Sequence, residues 1–243
     1  ARSVQFYDDT LNTPRGRIEA ICEQIRKRGL KFSWSCFARA EKLDAAALSE
    51  MKSAGCFQCR FGIEVGSEDR MKQMGKSGVS LQKIREVVRE ARKQGIETYS
   101  NFLLGTPGET QNDARVTIDF ARRINLDLFS FSAFYPYPGA PYSQQAMQEG
   151  RLAFYLAMYE GFDLEGLFPD YRPDKSVTKQ AQERCRQYRR LLRSGFVRCA
   201  SNPRWIARMV FALIRRPVAT SRMLFGAALR FRFRFGQQRA FGE

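Results

Sequence analysis

Short apolar runs and longer amphipathic segments alternate along the first 135 residues of the chain. The short runs predict strands, and the segments between them predict helices. The repeated strand–helix order predicts an α/β fold in which helices cover a parallel sheet, either doubly wound or closed as a barrel. The predicted strands are residues 4–7, 31–36, 60–64, 98–104 and 128–134.

Capping residues predict where the helices begin and end. Thr13 and Pro14 have the residue types of an N-cap and a first helical position, and Gly29 is suited to end that helix. Two further helices are predicted over residues 44–55 and 80–95, each with a polar N-cap and a glycine end.

The fourth predicted strand ends in a glycine-rich turn with the sequence Gly-Thr-Pro-Gly-Glu-Thr. Gly105 and Gly108 lack a Cβ where the backbone must approach another group, and Pro107 fixes φ between them. Thr110, with Asp113 three residues later, forms a capping-box pattern at the start of the next helix. The segment predicts a ligand-binding strand end, with an ordinary strand–helix turn as the alternative.

Ligands of α/β sheets bind at the carboxyl ends of the strands. In this chain those ends carry acids, an arginine, glycines and aromatic residues. Such a set predicts a polar, zwitterionic and partly aromatic ligand. The five ends are residues 7–10, 35–39, 62–67, 105–109 and 134–139.

The composition excludes several kinds of chemistry. The chain has no histidine, which excludes Ser-His-Asp and Cys-His catalytic groups and His-ligated zinc within these residues. Six cysteines at irregular spacing indicate a reducing, cytoplasmic setting rather than a disulfide scaffold. The chain begins at Ala1 and enters a predicted strand almost at once, so we expect a fragment of a longer protein.

The C-terminal quarter is strongly basic, since residues 184–242 contain 15 arginines and no Lys, Asp or Glu. Arg204, Arg208 and Arg215 are predicted on one helix face, beside a broad apolar surface that includes Trp205. No apolar run is long enough for a transmembrane helix. A basic amphipathic helix suits an anionic membrane surface, which we favour over nucleic acid as a partner. A helical appendage docked on the protein is the other alternative.

Five motifs at the predicted strand ends resemble those of the radical S-adenosylmethionine (SAM) superfamily. The resemblance is closest to the branch whose members often carry an upstream cobalamin-binding domain, and it covers residues 3–142. It implies a partial (βα) TIM-like barrel over residues 1–150, followed by a mostly α-helical basic region over residues 151–243. The motifs are Asp-Asp-Thr, Ser-Trp-Ser-Cys-x-x-Arg, Phe-Gly-Ile-Glu-x-Gly-Ser, Gly-x-Pro-Gly-Glu-Thr and Tyr-Pro-x-Pro-Gly.

The family's Cys-x3-Cys-x2-Cys loop, which holds a [4Fe-4S] cluster, is absent from the chain. Cys56 and Cys59 form the nearest pattern and lie at the entry to a strand, where we expect them to pack in the core; a metal or redox role is the alternative. The resemblance therefore implies that residues 4–7 form the second barrel strand. The cluster-binding first unit is expected upstream, and no metal ligand is assigned within the chain.

The resemblance also implies which residues hold the methionine part of SAM. Asp8 and Asp9 are expected to pair with its ammonium group, or else to cap the turn that they begin. Arg39 is expected to pair with the SAM carboxylate or a substrate acid. A surface salt bridge from Arg39 to Glu41 or Asp44 is the alternative.

The ribose and adenine are assigned to neighbouring strand ends. The resemblance places Glu64 on the ribose hydroxyls, and a carboxylate can accept from both members of a cis-diol. A solvated strand-end acid is the alternative for Glu64. Ser67 would cap the next short helix, while Gly66 would let the ligand pass close. The adenine is expected against Leu104, Gly105, Pro107 and Gly108, with Tyr135 as an aromatic wall.

The function that the resemblance implies is radical chemistry with SAM and a [4Fe-4S] cluster, and cobalamin-dependent methylation is a form of it. SAM cleavage would give methionine and a 5′-deoxyadenosyl radical. We expect an apolar small-molecule substrate, a partner domain upstream in the same protein, and a cytoplasmic enzyme that is peripheral to the membrane. No catalytic residue is assigned, and the fragment alone is expected to be inactive.

Two other functions stay open. One is an α/β-barrel enzyme that binds a phosphorylated ligand at the Gly105 turn, although no phosphate-loop Lys-Ser/Thr pair follows the glycines. The other is a non-catalytic membrane- or RNA-binding module that acts through its arginine-rich region.

Overall fold

A single parallel sheet forms the centre of the fold. The computed structural model describes residues 3–134, 137, 140–148 and a discontinuous set between residues 183 and 210. The strands are β1 (Ser3–Phe6), β2 (Ser33–Ala38), β3 (Cys56–Glu64), β4 (Glu97–Leu104) and β5 (Leu128–Ala133). The helices in the first 148 residues are α1 (Arg17–Lys27), α2 (Ala45–Ser53), α3 (Glu68–Gln73), α4 (Leu81–Lys93), α5 (Gln111–Ile124) and α6 (Pro141–Gln148).

The strand order decides between the two predicted arrangements. The five strands pair in chain order, β1-β2-β3-β4-β5, and every pairing is parallel. Connections between parallel strands are right-handed, so adding each strand on the same side places the connecting helices on one face of the sheet. A doubly wound sheet reverses this direction, and this sheet does not. The predicted partial barrel of the α/β class is therefore confirmed.

The two faces of the sheet have different environments. Leu104 is fully buried and packs with Ala114 and Ile118 of α5, which marks the helix-covered face. Tyr99 and Asn101 alternate with the buried residues of β4 and are half-buried on the opposite face. We call this opposite face the inner face, because it would line the interior of a closed barrel.

Most predicted helix boundaries are confirmed, and one is wrong. Asp44 caps α2 by accepting from the Ala47 amide at 2.8 Å, and Ser80 caps α4. However, α1 begins at Arg17 rather than at Pro14, with Gly16 at its N-cap in the left-handed region. The preceding residues are held by tertiary contacts instead, since the Leu11 amide donates to the Phe37 carbonyl at 2.9 Å.

Helix is the main secondary structure among the described residues of the C-terminal region. The described residues from 183 to 200 are all helical, which agrees with the helix predicted there. The chain divides into two compact units, Ala1–Cys199 and Ala200–Glu243. The predicted boundary at residue 150 and most of the arginine-rich segment lie outside the described residues. Within the described part of the chain, no helix has the length and hydrophobicity needed to span a membrane.

Candidate functional site

Glu64 ends β3 in an unusual backbone conformation, with φ of 70°. This left-handed region is unfavourable for a residue with a Cβ and is often retained at functional positions. Lys76 Nζ lies 2.9 Å from Glu64 Oε1 and donates to the Gly62 carbonyl at 2.7 Å. The predicted strand-end carboxylate is thus fixed at the carboxyl edge by an ion pair. Lys76 was not among the predicted site residues, because it lies in a loop without any motif.

Asp8 and Asp9 follow β1 and have different surroundings. Asp8 accepts from the Thr10 amide at 3.0 Å and pairs with Arg17 at 2.8 Å. The Thr10 hydrogen bond and the Arg17 guanidinium hold the pKa of Asp8 below its usual value. Asp8 therefore has the turn-capping arrangement given as its alternative, whereas the exposed Asp9 carboxylate makes no hydrogen bond or ion pair with any described residue.

Arg39 follows β2 and is held at both its backbone and its side chain. The buried Asn12 side chain donates to the Arg39 carbonyl and accepts from its amide, both at 2.9 Å. Arg39 Nε lies 2.6 Å from Glu41 Oε1. The guanidinium therefore forms the salt bridge that was the alternative to ligand binding, and the pair is half-buried.

The Gly105 turn after β4 is organised around Glu109. The Glu109 carboxylate accepts from the Gly105 amide at 2.9 Å, the Thr106 amide at 3.2 Å and the Thr106 hydroxyl at 2.8 Å. Burial raises the pKa of Glu109, although these hydrogen bonds oppose the rise. The Gly105 carbonyl and the Gly108 amide have no hydrogen-bond partner among the described residues. Those two main-chain groups remain available to an adenine edge.

Arg70 supports the same turn from α3. Its side chain is buried, and Nη2 donates to the Thr106 hydroxyl at 2.7 Å and to the Pro107 carbonyl at 2.5 Å. The buried Nε has no hydrogen-bond partner among the described residues. Arg70 therefore connects the segment after β3 to the turn after β4. Arg70 was not among the predicted site residues, because a single arginine on a short helix has no distinguishing pattern.

Gly66 and Ser67 have structural roles in this segment. Ser67 caps α3 by accepting from the Arg70 amide at 3.4 Å, as expected. A Cβ at Gly66 would lie 2.7 Å from both Phe120 Cβ and Thr117 Cα. The glycine thus permits close packing of α5 on the strand end, whereas the sequence analysis had assigned it to ligand approach.

The aromatic residues after β5 are only partly described. Tyr135, predicted as an adenine wall, lies outside the described residues. Phe134 is buried and packs edge-to-face on Tyr142 with ring centroids 5.9 Å apart, while Tyr137 is exposed. Phe134 is therefore a core residue in this structure.

A polar panel on the inner face was not predicted. Arg60 lies between the rings of Phe37 and Tyr99, and Asn101 contacts two serines of β5. These positions could have been found from the alternation of polar residues along β3 and β4, which the sequence analysis did not use. We call this set the inner-face panel, and it consists of Phe37, Arg60, Tyr99, Asn101, Ser130 and Ser132.

Cys56 and Cys59 are both buried, with their sulfur atoms 3.9 Å apart. Hydrogen bonding to Cys36 and Cys56, together with burial, raises the pKa of Cys59 well above its usual value. No group of three or more Cys, Asp or Glu in the described residues could hold a metal ion. The predicted packing role is confirmed, and the described residues do not fit an iron–sulfur cluster.

The part of the chain that forms the sheet and its strand ends is similar to known proteins. The model of the radical SAM superfamily matches residues 4–121, which include β1–β4 and most of α5. The solved structure of TsrM, a radical S-adenosylmethionine methyltransferase from Kitasatospora setae with cobalamin and a [4Fe-4S] cluster bound, aligns with a TM-score of 0.56. The alignment has 18% sequence identity and covers 61% of this chain and 31% of TsrM.

Two curated relatives have methyltransferase names. "Uncharacterized methyltransferase PH0819" of Pyrococcus horikoshii is 32% identical over 138 residues, which are 57% of this chain and 30% of the relative. Bacteriochlorophyllide d C-12(1)-methyltransferase of Chlorobaculum tepidum is 25% identical over 141 residues, which are 58% of this chain and 30% of that protein. This chain thus matches less than a third of either relative. Over residues 4–121, just under half of the chain, the sequence matches the radical SAM superfamily.

Proposed function

We propose that the strand ends of this chain bind SAM and that the complete protein is a radical SAM enzyme that methylates a hydrophobic metabolite. The observation that carries the proposal is the order of Asp9, Glu64 and the Gly105 turn along one edge of a parallel sheet. Neighbouring strands lie about 4.8 Å apart, so these ends span the width of one nucleoside-sized ligand.

The residues present fit the three parts of SAM. The unpartnered Asp9 carboxylate would take the ammonium group. Glu64, held by Lys76, would accept from the ribose hydroxyls.

The Gly105 carbonyl and Gly108 amide would contact the adenine edge. Leu104 and Pro107 would shape the turn, and Tyr135 is proposed as the aromatic wall of the adenine site. Arg39 would have to exchange Glu41 for the SAM carboxylate, while Asp8 and Ser67 support the local turns.

SAM, with a cluster bound elsewhere in the complete protein, supplies one-electron chemistry at the site. The residues of this chain orient SAM and exclude water. Glu109 and Arg70 fix the turn before ligand binding, which reduces the conformational entropy lost when SAM binds. Cobalamin is proposed as a further cofactor, in keeping with the methyltransferase named TsrM, whose structure contains it.

A phosphorylated-ligand barrel is not favoured by the turn geometry. Phosphate loops bind anions through free main-chain amides. Here the Gly105 and Thr106 amides donate to the Glu109 carboxylate, which occupies the position of an external anion. Among the described residues, the Gly108 amide is then the one turn donor left without a partner, and a single amide is too few to bind a phosphate.

Glu64→Gln in the complete, cluster-reconstituted protein tests the proposal. The neutral amide has one acceptor oxygen instead of a carboxylate, so we expect SAM affinity to fall about tenfold, equivalent to about 1.4 kcal/mol. Glu23→Gln, which makes the same change of charge on α1, is the matched control and should bind SAM like the wild type. Equal SAM affinity of the two variants would remove Glu64 from the site.

The arginine-rich region is proposed to hold the enzyme at an anionic membrane surface in the cytoplasm, near an apolar substrate. The support is the run of 15 arginines without an acidic residue over residues 184–242. Sedimentation with vesicles of phosphatidylglycerol and phosphatidylcholine should pellet the chain at low salt and release it at high salt. Absence of pelleting at low salt would end this part of the proposal.

A further inference from the structure

Arg60 occupies the centre of the inner-face panel. In the strand register it lies opposite Phe37 on β2 and opposite Tyr99 on β4. Its Cζ is 5.4 Å from the Phe37 ring centroid and 5.6 Å from that of Tyr99, which is within the range of cation–π contacts. Arg60 Nε donates to Gln58 Oε1 at 3.0 Å, and no acid among the described residues pairs with the guanidinium. The cation is thus held in place while both Nη groups remain free to donate.

The neighbouring part of the panel has a defined direction of hydrogen bonding. Ser130 Oγ donates to Asn101 Oδ1 at 2.6 Å, and Ser132 Oγ donates to the same oxygen at 3.1 Å. The Tyr99 hydroxyl lies 2.8 Å from Ser130 Oγ and donates to it, because the serine proton is used toward Asn101. The Asn101 oxygen is therefore saturated. Its amide Nδ2 has no partner among the described residues.

The unused polar groups of the panel are mainly donors. Arg60 contributes the N–H groups of two Nη atoms, and Asn101 contributes those of Nδ2. A surface with spare donors, one fixed positive charge and aromatic side walls is complementary to an oxyanion. An apolar group would leave these donors buried without partners, which is unfavourable.

We propose that the inner-face panel binds an oxyanion group, a carboxylate or a phosphate, of the enzyme's substrate. The inference deepens the proposed function and rests on it, since it takes the inner face as part of the reaction chamber. Arg60 precedes Glu64 by four residues on β3, which is about 13 Å along a strand. A substrate held at Arg60 by its anionic end therefore extends toward the strand ends. An amphiphilic molecule fits this arrangement, because its anionic end binds the panel while the rest of it is the apolar body proposed for the substrate.

Titration of the 243-residue chain with small anions tests the panel directly. The probes are inorganic phosphate, acetate and, as a neutral comparison, ethanol, all at constant ionic strength so that screening does not change. The readout is the set of ring signals of Tyr99 in protein labelled with 13C-tyrosine, assigned with Tyr99→Phe. We expect saturable shifts with phosphate and acetate and none with ethanol. Tighter binding of phosphate indicates a phosphorylated substrate, and tighter binding of acetate indicates a carboxylate.

Variants separate the panel from general electrostatic attraction. Arg60→Gln should weaken anion binding at least tenfold. Arg60→Lys should weaken it at least threefold, because an ammonium group lacks the planar fork and the stacking of a guanidinium. Arg89→Gln, the matched control on the exposed face of α4, should leave binding unchanged. Failure of both anions to saturate, or equal binding by Arg60→Gln and Arg89→Gln, would overturn the inference.

Asn101→Asp keeps the test decisive if Arg60→Gln does not fold. The new carboxylate replaces a donor with a negative charge and leaves Arg60 in place, so anion binding should fall at least tenfold. Wild-type anion binding by Asn101→Asp would overturn the inference. Parallel SAM titration of the complete protein distinguishes the two proposals: SAM binding without anion binding refutes only the panel. Anion binding without SAM binding refutes the proposed function and leaves the panel as an anion site.

Discussion

Arg70 Nη2 donates to the hydroxyl of Thr106 at 2.7 Å and thereby joins α3, which follows β3, to the turn that follows β4. The same nitrogen donates to the Pro107 carbonyl. Two strand ends that are proposed to hold the ribose and the adenine of one ligand are thus fixed relative to each other. The geometry of the candidate site therefore depends on a side chain that need not touch the ligand.

Replacing Arg70 should destabilise the chain. Arg70→Met removes two hydrogen bonds from a charged donor, to the Thr106 hydroxyl and to the half-buried Pro107 carbonyl, although the hydroxyl keeps its hydrogen bond to Glu109. A hydrogen bond from a charged group contributes about 1.5–3 kcal/mol. We expect the free energy of unfolding in urea to fall by about 2–4 kcal/mol. Lys72→Met on the exposed side of the same helix should change it by less than about 0.5 kcal/mol. A loss no larger than that of Lys72→Met would mean that Arg70 does not support the turn.

Glu64→Gly should show whether the Glu64 side chain stabilises the fold or serves a ligand. Glycine adopts the left-handed region without the Cβ penalty of about 1 kcal/mol, which offsets the loss of the partly exposed Lys76 pair. Urea denaturation should therefore show no loss of stability. Glu90→Gly, within α4, should lose about 1 kcal/mol as the control for glycine in a helix. A clear loss in Glu64→Gly would show that its side chain stabilises the fold rather than serving a ligand.

Gly66→Ala should be poorly tolerated. The added Cβ would meet Phe120 Cβ and Thr117 Cα at 2.7 Å, so α5 must shift. Such overpacking typically costs about 1–3 kcal/mol. Gly62→Ala is the matched control four residues earlier, where the nearest neighbours would lie at 3.5 and 3.6 Å. Thermal unfolding should show a clear decrease for Gly66→Ala alone, and equal effects of the two changes would contradict the close approach of α5.

Glu109 should titrate above the usual range of a glutamate. Burial raises its pKa, so between the ordinary and the raised pKa the folded state binds more protons than the unfolded state. This contribution to stability is present below the ordinary pKa and is lost as the pH rises through the raised one. A 13C titration of the carboxyl signals measures the pKa, and Glu109→Gln should lack this pH dependence.

Asp113 is an internal control in the same titration. Burial acts to raise its pKa, but the hydrogen bonds from the Thr110 amide and hydroxyl outweigh it and lower the pKa. The two carboxyl groups should therefore shift in opposite directions from their ordinary values. A Glu109 pKa at or below that of an exposed glutamate would contradict the buried position of its carboxylate.

Local sequence determined much of the fold. Apolar residues in short runs determined the existence of five strands, because each strand buries apolar side chains in the core of the sheet. Caps fixed most helix starts, since Asp44, Ser80 and Thr110 satisfy free amides only two or three residues away. Thr13 is also a residue that favours the N-cap position, but it caps no helix, because Leu11 bonds to Phe37 of β2 and Asn12 bonds to Arg39 after it.

The sequence by itself determined which residues stand at the strand ends, since chain order and periodicity suffice for that. Only the tertiary structure decided which partners they have. Arg39 pairs with Glu41, Glu64 pairs with Lys76, and the amides of the Gly105 turn donate to Glu109. The inner-face panel likewise required the register of four strands. Hydrogen bonds and ion pairs depend on distances of about 3 Å between residues far apart in the chain, and no local pattern encodes those distances.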